Sequence, residues 1–116
     1  MLAVAREGSR RSAARAAENE STFRKANEQI QAKWAELALT EGLTPYLCEC
    51  EEERCVAIVR LSIAEYEEVR SGPRQFLLAP GHEEDDDQVV SEQERFTVVE
   101  KTGDEGRLVE ERDPRS

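Results

Sequence analysis

The sequence predicts a small α+β protein, in which a long N-terminal helix and a short second helix pack on a small, mostly antiparallel sheet. Three observations support this fold class. Apolar residues recur at helical spacing between residues 22 and 40, and short β-branched runs alternate with turn residues further along the chain. All three cysteines lie in "YLCECEEERC", residues 46–55, where they are positioned to hold one hairpin together.

Length and charge limit the classes of function. The chain has 116 residues, enough for one domain with a limited core. Its net charge of −10 argues against nucleic acid or an anionic membrane surface as the main partner, because both attract Lys and Arg. The sequence has no apolar run of membrane-spanning length and no apolar secretory-signal segment. We therefore expect a cytoplasmic protein, where clustered cysteines more often bind metal or act in catalysis than form disulfides.

We predict three regions along the chain. Residues 1–20 are rich in Ala and Arg and are expected to be a disordered basic arm, with a frayed helix as the alternative. The folded domain is expected over residues 21–102, and residues 103–116 are expected to be an acidic flexible tail. Charge is unevenly distributed, since residues 83–113 carry a net charge of −9.

The first helix is predicted over residues 22–40. Ser21 or Thr22 is expected to cap it and Gly42 to end it. Trp34 is read as a core residue, with a docking anchor as the alternative. The predicted apolar face consists of Phe23, Ala26, Ile30, Trp34, Leu37 and Ala38.

Two strands, Tyr46–Cys50 and Val56–Leu61, are predicted to form a hairpin around the turn 51–54. Ser62 and Glu65 match a capping box, which predicts a short second helix ending near Gly72. A strand is predicted over Phe76–Ala79. A turn at "PGH", residues 80–82, follows this strand.

A second hairpin is predicted from the apolar residues at 89–90 and 96–99. The acidic tract 83–87 lacks the alternating ligand spacing and the glycine of a calcium loop, so it is read as a solvated loop. After Lys101 the sequence turns to glycine and charged residues, and a loose tail is expected.

The cysteines form a C-x-C-x4-C pattern. Residues i and i+2 of a strand point to the same side, so Cys48 and Cys50 are expected to face one ion, and the turn returns Cys55 to it. Three thiolates suit Zn²⁺, which prefers four ligands in a tetrahedron. The fourth ligand is predicted to be His82, the only histidine, with Glu83 or water as substitutes. This Cys3His set is typical of a structural zinc site.

Two other interpretations of the thiols stay open. They could be ordinary semi-buried cysteines on a strand, since free cysteine is among the most buried residue types. They could also form a redox pair, because a reactive thiol beside a resolving thiol is typical of a sensor. The acidic neighbours of the cysteines argue against the redox interpretation, since negative charge raises thiol pKa values.

Several segments also resemble a family of small uncharacterised actinobacterial proteins with a C-E-C-x4-C knuckle and an A-P-G-H-E turn. The resemblance is carried by "FRKANEQI", "YLCECEEERC", "LSIAEYEEVRSGPRQFLLAPGHE" and "FTVVEK…DPRS", and spans about residues 23–116. It implies the same architecture and the same ligand set, namely Cys48, Cys50, Cys55 and His82, and it implies no reaction. The knuckle turn "EEER" and the acidity of the loop after His82 depart from the family pattern.

We expect a non-enzymatic zinc-binding protein that serves as a protein-interaction or regulatory module, because one histidine and no phosphate-binding loop leave few catalytic schemes. The alternative is a thiol-based redox or metal sensor that releases zinc on oxidation. A zinc hydrolase or transferase would need an open coordination position. The expected partner is another protein, with nucleic acid retained only for the Arg-rich arm, and the sequence does not indicate an oligomeric state.

Overall fold

A computed structural model describes residues 12–115. Its mixture of helices and two small antiparallel sheets confirms the predicted α+β class. In order, the elements are α1 (Ala13–Glu36), β1 (Thr44–Leu47), β2 (Ile58–Leu61), α2 (Ile63–Val69), β3 (Gln75–Leu78), β4 (Gln88–Glu92), β5 (Thr97–Glu100) and α3 (Gly103–Glu111). No helix within these residues combines the length and the apolar composition needed to cross a bilayer.

Helix α1 begins earlier than predicted. Ser12 caps it by accepting a hydrogen bond from the Arg15 N–H at 3.1 Å. Residues 13–20, predicted to belong to a disordered arm, are therefore helical, and the Ala-rich sequence explains why, since alanine is the strongest helix former. Residues 1–11 of that arm lie outside the described residues.

Helix α1 also ends earlier, at Glu36, and Gly42 plays no part in its termination. Ala38 adopts the left-handed conformation with φ of +59°. The Leu39 N–H donates to the Trp34 carbonyl at 2.8 Å, and the Ala38 N–H donates to the Ala35 carbonyl at 3.0 Å. These two bonds form a Schellman motif in which alanine occupies the position that usually favours glycine.

The predicted apolar face of α1 was wrong. The buried residues of the helix are Ala16, Ala17, Glu20, Arg24 and Asn27. The predicted face lies roughly a quarter of a turn away from them, and its members are only partly buried or exposed. Trp34 is accordingly half-buried and absent from the core cluster. The helix docks through polar side chains that bond to the backbone of its neighbours, a mode that hydrophobic periodicity does not detect.

Arg24 illustrates this mode of docking. Its guanidinium is fully buried and donates to the carbonyls of Pro73 and Gln75 at 2.9 and 2.8 Å. It also lies 3.7 Å from the centroid of the Phe76 ring, a cation–π contact. One charged side chain thus anchors α1 to the start of β3.

The two hairpins were predicted correctly, although their strands differ from the predicted bounds. Strand β1 begins and ends earlier than the predicted Tyr46–Cys50, β2 begins two residues after the predicted Val56, and β4 extends beyond residues 89–90 on both sides. Strands β1 and β2 pair from Thr44↔Leu61 to Leu47↔Ile58, so residues 48–57 form a long connecting loop that contains all three cysteines. Strands β4 and β5 form the second hairpin, with a bulge between Val89 and Ser91.

Strand β3 pairs with β5, so the second sheet has the order β3-β5-β4. Helix α2 has the predicted capping box: Ser62 Oγ accepts from the Glu65 N–H, and the Ser62 N–H donates to Glu65 Oε1. Its residue Tyr66 stacks on Tyr46 with ring centroids 4.3 Å apart, which packs α2 against β1 in the core.

Residues 103–116 were predicted to be a flexible tail, and this was wrong for the part of the segment that the structure describes. Residues 103–111 form α3, whose Val109 is fully buried and which packs against α1. Beyond the helix, Asp113 pairs with the buried guanidiniums of Arg24 and Arg70. Two glycines and a single apolar pair in this helix explain why the sequence pattern did not predict it.

Candidate metal centre

The four predicted ligand residues meet at one place. The Sγ atoms of Cys48, Cys50 and Cys55 and a ring nitrogen of His82 all lie within 4.8 Å of one another. His82 Nδ1 is 3.5 Å from Cys48 Sγ and 3.6 Å from Cys55 Sγ. All three cysteines are free thiols.

The cysteines follow strand β1 and do not lie on it, which differs from the prediction. The Cys48 N–H still donates to the Ala57 carbonyl at 3.1 Å, so the ladder continues one step into the loop. The Cys55 N–H donates to the Glu52 carbonyl at 3.0 Å and closes a tight turn. This turn brings the third thiol back to the first two.

His82 comes from the turn after β3. Its N–H donates to the Ala79 carbonyl at 3.1 Å, and Gly81 between them has φ of +86°. Pro80 and Gly81 are the residues that a type II turn prefers at its two central positions. The neighbouring Ala79 N–H donates to Cys48 Sγ at 3.2 Å, which ties the turn to the thiols.

Contacts between β3 and the cysteine segment bring the histidine to the thiols. Strand β3 pairs with β5, and it lies beside the cysteine segment through the Glu49 N–H, which donates to the Leu77 carbonyl at 2.7 Å. In return, the Leu77 N–H donates to Glu49 Oε1 at 2.9 Å. These two bonds place β3, and hence the turn at 79–82, alongside the cysteine knuckle, which is the segment 48–55.

The spacing of the donor atoms fits a tetrahedral zinc ion. Zn–S bonds of about 2.3 Å and Zn–N bonds of about 2.0 Å separate sulfur and nitrogen ligands by roughly 3.5 Å. The two sulfur–nitrogen distances in this site are 3.5 and 3.6 Å. Three thiolates with one imidazole also match the ligand preferences of zinc.

The thiols perturb each other strongly. A hydrogen bond from Cys48 lowers the pKa of the Cys50 thiol to about 5, and the same bond together with burial raises the pKa of Cys48. Burial raises the pKa of Cys55. The cluster therefore favours one thiolate at Cys50, and a bound cation would displace the remaining two protons, because metal-ligating cysteines are thiolates.

The acidic neighbours do not surround the thiols as expected. Glu49 points into the core, where it accepts hydrogen bonds from Asn27 Nδ2, the Tyr66 hydroxyl and the Leu77 N–H. Burial raises its pKa, and these bonds oppose the rise. The Glu51 carboxylate lies within 4.8 Å of those of Glu20 in α1 and Glu105 in α3, so the carboxylates of Glu49 and Glu51 are engaged away from the cysteine–histidine cluster.

A second buried group of acids was missed by sequence reasoning. Carboxylate oxygens of Glu20, Glu51 and Glu105 lie within 4.8 Å of one another. The ammonium group of Lys101 supplies the positive charge at this point, 2.9 Å from Glu20 and 2.7 Å from Asp87. Asp87 ends the acidic tract 83–87, so this end of the tract is buried, in contrast to the solvated loop that was predicted. No spacing signal marks this group, because its members come from distant segments.

Helix α1 is joined directly to the cysteine loop. Asn27 Nδ2 donates to the Leu47 carbonyl at 2.9 Å, and Asn27 Oδ1 accepts from the Leu47 N–H at 2.7 Å. Asn19 Nδ2 donates to the Glu51 carbonyl at 2.7 Å. The loop is thus held on its helix side by asparagines and on its strand side by β3.

Comparisons of the chain with protein-family models, with curated proteins and with solved structures each gave no significant match. The geometry of the cysteine–histidine cluster is therefore the basis for proposing a function.

Proposed function

We propose that this protein binds one zinc ion through Cys48, Cys50, Cys55 and His82, and that the ion is structural. The observation that carries this proposal is the convergence of four ligand atoms within 4.8 Å, at sulfur–nitrogen separations that a tetrahedral zinc requires. Four protein ligands would complete the coordination shell and leave no position for a substrate.

The position of the cluster explains what such an ion would do. It would connect the β1–β2 loop with the turn after β3. Strands β1 and β2 form one sheet and β3 belongs to the other, so the ion would link the two sheets. Because such a site rarely exists in the unfolded chain, the free energy of metal binding would contribute directly to folding. A chain with a core this small gains most from a link of this kind.

A structural ion leaves the remaining surface for binding, so we propose a protein-interaction or regulatory module as the biological role, with no enzymatic activity. The family resemblance seen in the sequence includes the same four ligands, and it is consistent with a shared metal-dependent fold. Metal-dependent turnover of a substrate by the purified protein would contradict this role.

The metal site is tested by elemental analysis of the full chain purified under reducing conditions with zinc present. We expect one zinc per chain in the wild type and loss of zinc in Cys50→Ser and His82→Ala. Glu83→Gln is the matched control, because Glu83 adjoins His82 and is the substitute ligand, and this variant should retain zinc. A fully folded wild-type protein that takes up no zinc would refute the proposal.

Cobalt substitution adds a check on the ligand set. Co²⁺ in a tetrahedral site with three sulfurs and one nitrogen gives ligand-field bands that shift when a ligand is lost or replaced. The spectrum of Cys50→Ser should therefore differ from that of the wild type, whereas the spectrum of Glu83→Gln should match it.

One observation favours a second role, a redox sensor. Cys55 is only partly buried and His82 is exposed, so the outer side of the site is open to solvent. A Cys55 thiolate that attacks hydrogen peroxide breaks the O–O bond, forming a sulfenic acid and hydroxide. Attack by the Cys50 thiolate then forms a disulfide and releases hydroxide, which removes two zinc ligands. Zinc release on stoichiometric peroxide, measured with a chromogenic chelator, would support this role, and retention of zinc with all thiols intact would exclude it.

A further inference from the structure

Strand β4 is an exposed edge strand. It forms one side of the β3-β5-β4 sheet, and within residues 12–115 no strand pairs with its outer edge. The opposite edge, at β3, is covered by the cysteine segment through the hydrogen bonds between Glu49 and Leu77. Natural edges commonly carry Lys or Pro, and "QVVSE" has neither. Its Val89 and Val90 are 46% and 48% exposed.

The bulge in β4 restricts what can pair with this edge. It lies between Val89 and Ser91 and increases the local twist. A twisted edge disfavours flat sheet-to-sheet association between copies of the chain, whereas a short peptide can follow the twist. The edge therefore favours a single extended segment as its occupant.

A groove lined by both apolar and polar side chains runs beside β4. It has a volume of about 300 Å³ and lies between α2 and the sheet. Its wall includes Val69, Phe96 and Val98, which are nearly fully buried, and Val90 of β4. A peptide added to the β4 edge would place alternate side chains toward this groove, so apolar residues at every second position would suit it.

The surroundings of β4 carry a strong negative charge. Residues 83–94 contain seven acidic and no basic residues. Glu65 and Glu68 also line the groove. Two bases near β4 are already paired with acids, Arg95 with Glu65 at 2.9 Å and Lys101 with Asp87 at 2.7 Å. A peptide with Lys or Arg at the positions between its apolar residues would complement this field.

We infer that the outer edge of β4 is a docking site for an extended, basic segment of a partner protein, which pairs with the strand as a fourth member of the sheet. This inference rests on the proposed role as an interaction module, and it names the surface and the chemistry of the partner. It does not depend on the metal, because β4 contributes no ligand to the cysteine–histidine cluster.

The test uses a synthetic peptide of alternating valine and lysine, with a valine–glutamate peptide of equal length for comparison. Binding to the zinc-loaded full chain is followed by NMR. We expect the amide signals of Gln88–Glu92 to shift with the lysine peptide and to gain protection from hydrogen exchange. The glutamate peptide should bind at least about tenfold more weakly than the lysine peptide. High salt should weaken the binding of the lysine peptide, because the attraction is electrostatic.

Two controls separate strand pairing from general attraction. A lysine peptide with N-methylated backbone amides keeps its charge but loses its donors, so it should not bind, whatever the folding of any protein variant. Val90→Lys should abolish binding of the unmodified peptide, while Ile58→Lys should retain it, because Ile58 is similarly exposed, at 50%, on a strand of the other sheet.

Several outcomes would overturn the inference. Equal binding of the two peptides, equal binding of the methylated peptide, or shifts confined to residues outside β4 and its groove would each do so. Stronger binding in the full-length double variant Arg10→Glu, Arg11→Glu would show that the chain's own arm occupies the site in place of a partner. Zinc content is measured in every variant, so failure of the β4 edge is distinguishable from failure of the metal site.

Discussion

Replacing Glu49 with alanine is expected to lower the free energy of unfolding by about 2–5 kcal/mol. Glu49 is fully buried between two of the cysteines, and its carboxylate accepts three hydrogen bonds. Asn27 would keep its bond to the Leu47 carbonyl, but the Tyr66 hydroxyl and the Leu77 N–H would lose their acceptor. Each buried donor left without a partner costs about 1–3 kcal/mol. Relief from burying a carboxylate offsets part of this cost.

Glutamine at the same position should cost less, about 1–2 kcal/mol, because its carbonyl oxygen still accepts while its NH₂ group faces another donor. Both variants are measured by urea unfolding at pH 7. The free zinc concentration is buffered at one value, so that zinc binding contributes equally to the measured stability of each protein. Glu53→Ala is the control, since Glu53 lies in the same loop with its side chain half exposed, and it should change stability by less than about 0.5 kcal/mol. An alanine variant within about 1 kcal/mol of wild type would show that Glu49 does not organise the knuckle.

Three further changes test the rest of the fold. Asp113→Ala should cost about 3 kcal/mol in urea unfolding, because it removes a carboxylate shared by two buried guanidiniums, of which Arg70 keeps its ion pair with Glu28. Ala38→Gly should stabilise by about 0.5–1 kcal/mol in the same assay, since glycine relieves the left-handed strain at φ of +59°. Burial, followed by a hydrogen bond with Glu105, raises the pKa of Glu20 from 4.5 to about 10, so stability should fall as pH rises through that window. Glu20→Gln should make this decline smaller when unfolding is measured from pH 5 to 9, a range in which Lys101 stays charged because its pKa is raised. The raised pKa of Glu49 leaves part of the decline in place.

Each of these three predictions has a matched control variant. Asp104→Ala removes an exposed carboxylate from α3 and should leave stability within about 0.5 kcal/mol of wild type. Ala35→Gly, within α1, should destabilise by about 1 kcal/mol, opposite in sign to Ala38→Gly. Glu18→Gln on the exposed side of α1 should leave the pH profile unchanged. A decline with pH in Glu20→Gln equal to that of wild type would contradict the assignment to Glu20.

The local elements were readable from the sequence, because their signals lie within a few residues. The capping box at Ser62 and Glu65, the Pro80–Gly81 turn and the C-x-C spacing each specify backbone geometry locally, and the structure has all three. The start of α1 is an exception. Its Ala-rich first turns have no recognisable apolar face, and they were assigned from the sequence to the basic arm.

By itself, the sequence determined the α+β class, the two hairpins and the set of residues that meet at the candidate metal centre. Only the tertiary structure decided which side of α1 is buried, that β3 reaches the knuckle through Glu49, and that the segment after Lys101 is a packed helix. The physical reason is common to these three features. They depend on buried polar side chains such as Arg24, Asn27 and Asp113, whose partners lie far away in the chain, and hydrophobic periodicity carries no information about such pairs.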